Sequence, residues 1–332
     1  MFLFSVIIPM YNKVKYIERA LNSVLAQTIS DFEVIVVDDG SIDGSVEVVA
    51  SFNDPRIRLI RQENSGVSAA RNKGIVLSNT EMVAFLDADD DWEPTFLETI
   101  LDLNKKYPHA GTYVTAHRVE YTEGVFVQSD FQFAPSDKDG GLIDSFLCCP
   151  YIYSSAIAVK RSVLQSVGAF PVGIKYGEDL DTWIRLAMKA PIAWSPKTCS
   201  TSRSSEALYN CRSKTCVGDA PFAKTVMSSR ECMPYNEWQS LYELLCSQRL
   251  RIFALGTYLA GYWRESRHMV LESLHTKREL RRLAFMLLLT SIPPYIGRFI
   301  WRSITGNKDI SFLSVDGSLP VPNTQNLSQK GM

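Results

Sequence analysis

The stretch Phe85-Leu86-Asp87-Ala88-Asp89-Asp90-Asp91-Trp92 places four carboxylates within five residues, directly after the apolar run 82–86. Like charges this close repel one another, and burying them is costly unless a positive charge lies among them. Oxygen ligands at short spacing suit a hard divalent cation such as Mg²⁺ or Mn²⁺. Because Mg²⁺ usually takes one or two carboxylates together with phosphate oxygens, the stretch indicates a metal that holds a phosphorylated ligand.

Three other interpretations of this acidic stretch remain open from the residues alone. Asp and Glu favour the first turn of a helix and Pro94 suits the first helical position, so the stretch is also typical of a solvated helix start. A calcium loop would use Asp87 and Glu98 as its first and twelfth positions, but Trp92 stands where glycine is required. A phosphatase-type Asp-x-Asp nucleophile usually closes a first strand, whereas this motif comes later in the chain.

Strands and helices alternate along the first part of the chain, at a spacing of roughly 25 residues. Short apolar runs rich in β-branched residues predict strands at 5–9, 32–37, 57–60 and 82–86. Apolar residues at helical spacing predict helices between them, at 13–27, 43–51 and 68–77. This alternation favours parallel βαβ units with helices on both faces of the sheet.

Polar residues follow three of these predicted strands. Tyr11-Asn12 comes after the first strand, Asp38-Asp39 after the second, and the acidic stretch 87–91 after the fourth. Ligands of parallel sheets bind beyond the carboxyl ends of the strands, so three separate loops predict one ligand site at that edge. The chain has neither a Gly-x-Gly-x-x-Gly nor a P-loop motif, which argues against dinucleotide binding and P-loop chemistry.

The pattern beyond residue 110 is less regular. Residues 112–128 predict one or two strands, 151–159 predict another strand, and 161–167 predict a helix. Glu178-Asp179 opens a predicted helix that runs to Lys189. The helix dipole favours two carboxylates at such a position, and this alone is enough to account for them.

The C-terminal third of the 332-residue chain is basic, although the whole chain has a net charge of −1 and gives no indication of nucleic-acid binding. Between Gln248 and Lys308 there are 11 Lys and Arg against 3 Asp and Glu, a local charge of +8. The helical pattern over 237–301 contains an apolar part, 283–297, that is too short for a hydrocarbon core of roughly 30 Å. It fits an amphipathic segment on an anionic membrane surface or a core helix with a basic surface. Polar residues from Asp309 onward predict a disordered tail.

The seven cysteines are odd in number, and the N-terminus lacks the basic segment of a secretory signal. We therefore expect free thiols in a reducing cytosol. Cys211 and Cys216 form a Cys-x4-Cys pair, but no Cys-x2-Cys spacing supports a zinc site.

Five motifs occur in order along residues 2–190: Ser5-Val-Ile-Ile-Pro-Met-Tyr-Asn12, Val36-Val-Asp-Asp-Gly-Ser41, Asn64-Ser-Gly-Val-Ser-Ala-Ala-Arg-Asn72, Phe85-Leu-Asp-Ala-Asp-Asp90 and Gly177-Glu-Asp-Leu-Asp-Thr-Trp-Ile-Arg185. Together they resemble the family 2 glycosyltransferases of the GT-A fold. The resemblance implies an α/β fold, with a Rossmann-like, mostly parallel central sheet flanked by helices and a C-terminal helical extension. The implied parts are a catalytic domain 1–200 (nucleotide-binding half 1–110, acceptor half 111–200), a helical basic region 201–308 and a disordered tail 309–332.

The resemblance implies a nucleotide-sugar donor, usually a UDP-sugar, and direct displacement at the anomeric carbon with inversion. Mn²⁺ or Mg²⁺ on the donor diphosphate would be held by Asp89 and Asp87. Asp39 would accept the uracil N–H, Arg71 would donate to a uracil carbonyl or to phosphate, and Tyr11 would stack on the base. The implied donor-binding residues are Pro9, Tyr11, Asn12, Asp38, Asp39, Arg71, Asp87, Ala88 and Asp89.

Asp179 matches the general base for the acceptor hydroxyl, and Glu178 would position the acceptor or the base. Asp38 is expected to fix its loop by accepting backbone N–H groups. Many relatives have a histidine after the Glu-Asp helix that completes the metal site, but 196–211 contains none, so a third protein ligand stays open and Arg203 is a candidate for contact with the diphosphate. The absence of a Gln-x-x-Arg-Trp motif favours addition of a single sugar.

The acceptor is expected to be a glycan or a lipid-linked precursor of a surface polysaccharide, because a lipid-linked acceptor would account for the basic, apolar C-terminal region. The chain would then be cytoplasmic, with peripheral contact to the cytoplasmic face of an anionic membrane. A nucleotidyltransferase of related fold would need a Gly-rich N-terminal loop, which 5–13 lacks. A non-catalytic nucleotide-sugar-binding subunit would have lost a motif carboxylate, and none is lost.

Overall fold

The computed structural model describes residues 3–122, 125–128, 152–174, 177–203 and 221–244. These residues fall almost entirely in one compact unit, which comprises Met1–Ser205 and Lys224–Leu241. The predicted helical pattern over 245–301 and the predicted disordered tail lie outside the described residues. Where the chain is described, it contains no helix with the length and apolar character needed to cross a membrane.

The first half of the sheet is wholly parallel, as the alternating pattern predicts. Its strands span Phe4–Met10 (β1), Phe32–Asp38 (β2), Ile57–Arg61 (β3) and Met82–Phe85 (β4). β1 lies between β2 and β4, and β3 pairs with the outer edge of β2. All residues of β1 and β2 are buried, which matches a parallel sheet covered on both faces.

Three helices cover this parallel half: Ile17–Leu25 (α1), Ser45–Ala50 (α2) and Val67–Leu77 (α3). α1 buries four residues at the i, i+3, i+4, i+7 spacing of an amphipathic helix: Ile17, Ala20, Leu21 and Val24. On the other face of the sheet, Ile35 and Val37 of β2 pack against Ala70 of α3. The helices therefore hold the sheet from both sides and leave the carboxyl ends of its strands to the loops.

The second half of the sheet is mixed. Its strands span Asp91–Trp92 (β5), Thr112–Thr122 (β6), Val125–Gln128 (β7), Ile157–Lys160 (β8) and Ile192–Arg203 (β9). The strand order is β3-β2-β1-β4-β8-β6-β9-β5, with β7 paired to β6. β8 is antiparallel to β4 and β6, and β9 is parallel to β6 but antiparallel to β5. The α/β fold class is confirmed, with parallel pairs throughout β1–β4 and between β6 and β9.

Strand β5, strand β9 and the helix that follows the acidic stretch were not assigned from the sequence. Helix Phe96–Lys106 (α4) begins after the acidic stretch, so residues 87–91 form a loop and β5 rather than a first helical turn. β9 contains Pro196, and its register with β6 shifts at that point, so the strand has no regular alternation of apolar residues.

The remaining helices span Arg161–Ser166 (α5), Glu178–Lys189 (α6), Pro221–Ser228 (α7) and Tyr235–Leu244 (α8). α6 is anchored to the end of β4 by three buried aromatic rings. Phe170 meets Phe85 edge-on at 5.3 Å and Trp183 of α6 at 5.5 Å between ring centroids. These contacts place the N-terminus of α6, with Glu178 and Asp179, beside the carboxyl end of β4.

Gly74 lets α3 approach β1 without an intervening side chain. A Cβ atom built on Gly74 would lie 2.5 Å from Cγ2 and 3.0 Å from Cγ1 of Ile7. Ile7 is fully buried and branched at Cβ, so it has little freedom to move aside. The height of α3 above the sheet is therefore set by backbone contact at this position.

We expect Gly74→Ala to lower the free energy of unfolding by about 1–3 kcal/mol because the added methyl group overpacks this contact. Chemical denaturation of the purified chain measures the change. Val76→Ala in the same helix is the control, since Val76 is 74% exposed and its loss should change stability by less than about 0.5 kcal/mol. Alanine is favoured over glycine in a helix, so a Gly74→Ala variant as stable as wild type or more stable would contradict the close approach.

Candidate active site

The loops after β1 and β2 are bonded to each other at the carboxyl edge of the sheet. The Asp39 amide donates to the Met10 carbonyl at 2.8 Å, and the Asn12 amide donates to Ser41 Oγ at 2.9 Å. Asn12 Oδ1 in turn accepts the Ile42 amide at 3.0 Å. Asn12 has a φ of 52°, a left-handed conformation that asparagine tolerates better than most residues. The first two predicted loops thus form one unit, with the Tyr11 ring half exposed at its surface.

Asp38 and Asp39 are both buried, and each carboxylate fixes a loop. Asp38 accepts the Ser41 amide at 3.0 Å, as the sequence predicts, and pairs with Arg61 at 3.3 Å. Asp39 accepts the amides of Ser65 and Gly66 at 2.9 and 2.8 Å. These two amides lie at the start of α3, where a carboxylate satisfies donors that the helix itself cannot.

Arg71 joins the end of β4 to the start of α6. Its side chain is 4% exposed and donates to Asp87 at 2.8 Å and to Glu178 at 3.2 Å. Burial alone would lower the pKa of this guanidinium, but the charges of Asp87 and Glu178 outweigh it and raise the pKa. The guanidinium also lies 5.1 Å from the centroid of the Phe170 ring. Asn72 holds the backbone of that same residue with two hydrogen bonds of 2.8 and 2.9 Å.

Glu178 and Asp179, the predicted acceptor-side carboxylates, differ in their surroundings. Glu178 is buried, and burial together with the charge of Asp179 raises its pKa to about 7 despite the opposing effect of Arg71. Asp179 is partly exposed, and its Oδ1 accepts the Leu180 amide at 2.7 Å. Asp179 is therefore more exposed to solvent than Glu178, while Glu178 is connected to Asp87 through Arg71.

Asp89 forms an ion pair with Lys13, which directly follows the Tyr11-Asn12 motif. Lys13 Nζ lies 2.5 Å from Asp89 Oδ2, with the two side chains 27% and 16% exposed. Burial alone would lower the pKa of Lys13, but the interaction with Asp89 outweighs it and raises the pKa, so the ammonium stays charged. Sequence reasoning did not single out Lys13, although its place next to a recognised motif was a usable signal.

Asp90 is the buried member of the acidic loop and is held by Ser155. Ser155 Oγ donates to Asp90 at 2.5 Å and accepts the Asp87 amide at 3.0 Å. Burial and the charges of Asp87 and Asp89 raise the pKa of Asp90 well above its ordinary value, which favours the protonated form. Ser155 belongs to the short 3₁₀ turn Ser154–Ala156 before β8, and nothing in its sequence surroundings marked it.

Asp91 lies between two arginines at the other end of the loop. It pairs with Arg19 of α1 at 3.3 Å and with Arg203 at the end of β9. Arg203 also binds Glu120, and its backbone amide donates to Asp90 at 3.3 Å. Arg203 thus contacts carboxylates in the folded chain, and its predicted contact with a diphosphate stays a prediction.

The predicted site residues gather around this edge of the sheet. Pro9 is buried in β1 opposite Val37, and Ala88 is buried between Asp87 and Asp89. A chain of contacts links the loops after β1, β2 and β4 with the N-terminus of α6. The assigned roles of these residues in donor binding and catalysis stay predictions.

Asp87 and Asp89 suit a divalent cation in their chemistry. Both carboxylates are partly exposed, at 29% and 16% of their side chains, and supply hard oxygen ligands. The ion pair between the Lys13 ammonium and Asp89 shows that a positive charge is favourable next to this carboxylate. In the described part of the chain, no three His, Cys, Asp or Glu side chains converge to hold a metal ion. The two aspartates are therefore the candidate protein ligands, with the remaining positions left to a bound phosphate or water.

Comparison with known proteins identifies a family. The family model "Glycosyl transferase family 2" matches residues 5–168. TuaG of Bacillus subtilis (strain 168), named as a glycosyltransferase of teichuronic acid biosynthesis, is 30% identical over 210 residues, 59% of this chain and 77% of that protein. An uncharacterized glycosyltransferase of Nostoc sp. is 35% identical over 175 residues, 51% of this chain and 53% of that protein. The chain spans about half or less of the first curated relatives it matches, 53% of one and 32% of the next two.

Two solved structures show the same fold. Staphylococcus aureus TarS 1–349 in complex with UDP-GlcNAc has a TM-score of 0.63 and 23% identity over 81% of this chain and 83% of that one. Mannosyltransferase PcManGT from Pyrobaculum calidifontis, in complex with GDP-Man and Mn²⁺, has a TM-score of 0.53 and 15% identity over 91% of this chain and 86% of that one.

The family match and the relative of Bacillus subtilis agree with the five motifs and with the sheet that places them at one edge. The chain belongs to glycosyltransferase family 2 and has the GT-A fold.

Proposed function

We propose that this chain transfers one sugar from a nucleotide-sugar, most simply a UDP-sugar, to a hydroxyl of its acceptor with inversion at the anomeric carbon. The observation that carries the proposal is the Arg71 guanidinium, shared between Asp87 at the end of β4 and Glu178 at the start of α6. It brings the predicted donor-side and acceptor-side carboxylates next to each other. A transfer reaction needs both substrates at one point, with the reacting groups held in fixed orientation.

The donor site is proposed at the loops after β1, β2 and β4. Tyr11 has an exposed ring that can stack on a base. Asp39 accepts hydrogen bonds from Gln62, Ser65 and Gly66, which leaves a carboxylate lone pair for the proposed bond from the uracil N–H. Arg71 keeps its proposed role toward a uracil carbonyl or phosphate, while its hydrogen bonds to two carboxylates fix its position. The complex of TarS with UDP-GlcNAc supports a nucleotide-sugar as ligand.

Asp89 and Asp87 are the proposed holders of Mn²⁺ or Mg²⁺. When bound, such an ion stabilises the negative charge that develops on the departing diphosphate. Asp90 and Ser155 keep the loop in place beneath the two carboxylates, since Ser155 binds the loop at two points. The Mn²⁺ in the structure of PcManGT supports this choice of ion.

Asp179 is proposed as the base. The acceptor oxygen forms a bond to the anomeric carbon while the bond from that carbon to the diphosphate oxygen breaks, and the hydroxyl proton passes to Asp179. Its partial exposure leaves room for an acceptor, whereas the Glu178 carboxyl is buried against Arg71. Glu178 is therefore proposed to position the N-terminus of α6 relative to Asp87.

The acceptor is proposed to be a glycan or lipid-linked precursor in surface polysaccharide synthesis at the cytoplasmic face of the membrane. The name of TuaG and the basic region 248–308 support this setting. The division into a catalytic domain 1–200, a basic helical region 201–308 and a tail 309–332 belongs to the same proposal. A nucleotidyltransferase or a non-catalytic binding subunit are the alternatives, and release of UDP from a UDP-sugar with Mn²⁺ separates them from a glycosyltransferase.

We expect Asp179→Asn to lower kcat by about 10²–10⁴-fold because the acceptor hydroxyl loses its base. The asparagine keeps an oxygen that can accept the Leu180 amide, so UDP affinity should stay near the wild-type value. Sugar transfer is measured by UDP release with acceptor present, and UDP affinity by calorimetry. Near-normal transfer by the variant would show that Asp179 is not the base.

We expect Asp89→Ala to raise the Mn²⁺ concentration needed for half-maximal UDP release by at least roughly tenfold. Loss of a residue that hydrogen-bonds to a metal ligand typically lowers metal affinity by about 10–100-fold, and loss of the ligand itself should lower it at least as much. Asp102→Ala is the matched control, because this carboxylate is 68% exposed on α4 and pairs with Lys105 of the same helix. An unchanged Mn²⁺ titration for Asp89→Ala would rule out its role as ligand.

We expect wild type to lose stability relative to Glu178→Gln as the pH rises from 5 to 8. The pKa of Glu178 is raised from 4.5 to about 7, so its contribution to folding is full below pH 4.5 and is lost as the pH passes 7. The difference in free energy of unfolding between the two proteins should change by up to about 3 kcal/mol, measured by denaturation in EDTA. A difference that is the same at both pH values would mean that this carboxyl titrates normally in the folded chain.

A further inference from the structure

The acidic loop, residues 87–91, pairs with several cations, and Lys13 is the one among them that can move most easily. Its backbone amide is fixed by a 2.8 Å hydrogen bond to Ser45 Oγ, so the main chain is held. Its side chain ends in one ion pair, to Asp89, and lies 5.8 Å from the centroid of the Tyr16 ring. A partly exposed ammonium on four flexible carbons can therefore swing away while the loop that carries it stays in place.

The other cations of the loop are held more firmly. Arg71 is 4% exposed and bridges two carboxylates that belong to different elements. Arg203 likewise binds two carboxylates, those of Asp91 and Glu120. Arg19 pairs with Asp91 and also donates to the backbone carbonyl of Asp89 at 2.6 Å. Releasing any of these arginines would break two contacts, whereas releasing Lys13 breaks one ion pair.

We propose that Lys13 is an exchangeable counter-ion of the donor site, which neutralises Asp89 in the free protein and moves onto a diphosphate oxygen when a divalent cation takes Asp89. This rests on the proposed function, because it presupposes the metal and the diphosphate. The Lys13 ammonium lies 2.5 Å from Asp89 Oδ2, so it would be repelled by a divalent cation bound there and would find a new anionic partner in the diphosphate.

This exchange couples two ligands through one side chain. Without the nucleotide, Lys13 would compete with a divalent cation for Asp89 and would weaken its binding. With the nucleotide, the displaced ammonium gains a phosphate partner, so metal and diphosphate each favour the binding of the other. The coupling is reciprocal, as linkage requires, and the part of it that Lys13 carries is lost when the charge at position 13 is removed.

The test measures binding rather than turnover, with the full chain and with Lys13→Met, which keeps the length of the stem and removes the charge. Calorimetry gives the Mn²⁺ affinity without nucleotide and the UDP affinity at saturating Mn²⁺. We expect Lys13→Met to bind Mn²⁺ roughly 5- to 30-fold more tightly without UDP. We expect it to bind UDP about 3- to 10-fold more weakly at saturating Mn²⁺, because one charge-assisted contact is lost. A general loss of structure would weaken both.

Lys15→Met is the matched control, because Lys15 is an exposed lysine two residues away and should leave both affinities unchanged. Lys13→Gln serves as the second variant if Lys13→Met does not fold. Unchanged or weaker Mn²⁺ binding by the Lys13 variant, or unchanged UDP binding, overturns the exchange alone. A wild-type chain that binds neither Mn²⁺ nor any nucleotide diphosphate overturns the proposed function together with it.

Discussion

The buried charge of Arg71 is the constraint on which the geometry of the site depends. An uncompensated guanidinium in a protein interior is costly, so Asp87 and Glu178 must both stay within reach of it. One of them closes a strand of the parallel half, and the other opens a helix that packs against the end of that strand. The electrostatic requirement of one side chain therefore fixes the distance between two parts of the chain that would otherwise be independent.

The acidic loop extends the same principle with partners of different mobility. Arginines with two acceptors hold Asp87 and Asp91, a serine holds the buried Asp90, and a single flexible lysine covers Asp89. The firm partners keep the loop in shape before any ligand arrives, which lowers the entropic cost of binding. The mobile partner, Lys13, pairs with Asp89, one of the two carboxylates proposed to hold a metal. Within five residues, the loop therefore has carboxylates that are firmly held and one whose partner can be replaced.

Much of the fold could be predicted because its first half follows simple patterns. β1 and β2 are uninterrupted apolar runs, and α1 repeats its buried residues at the helical period. β9 could not be predicted in this way, because Ser200, Thr201 and Ser202 place hydroxyl groups at three of its buried positions. In the candidate site, the motifs contain the carboxylates and Arg71, but not the partners Lys13 and Ser155. Lys13 and Asp89 are 76 residues apart and Ser155 and Asp90 are 65 apart, so these pairs exist only in the folded chain.

The bridge between Arg71 and Glu178 joins residues that are 107 positions apart, whereas Asp87 is 16 positions from Arg71. During synthesis from the N-terminus, all four parallel strands have emerged well before Glu178 is made. Until then the nascent chain can offer the guanidinium one carboxylate instead of two. Closing so long a loop is also entropically more demanding than closing the short one. The order of translation thus builds the proposed donor side of the site first and leaves the proposed acceptor side to be completed afterwards.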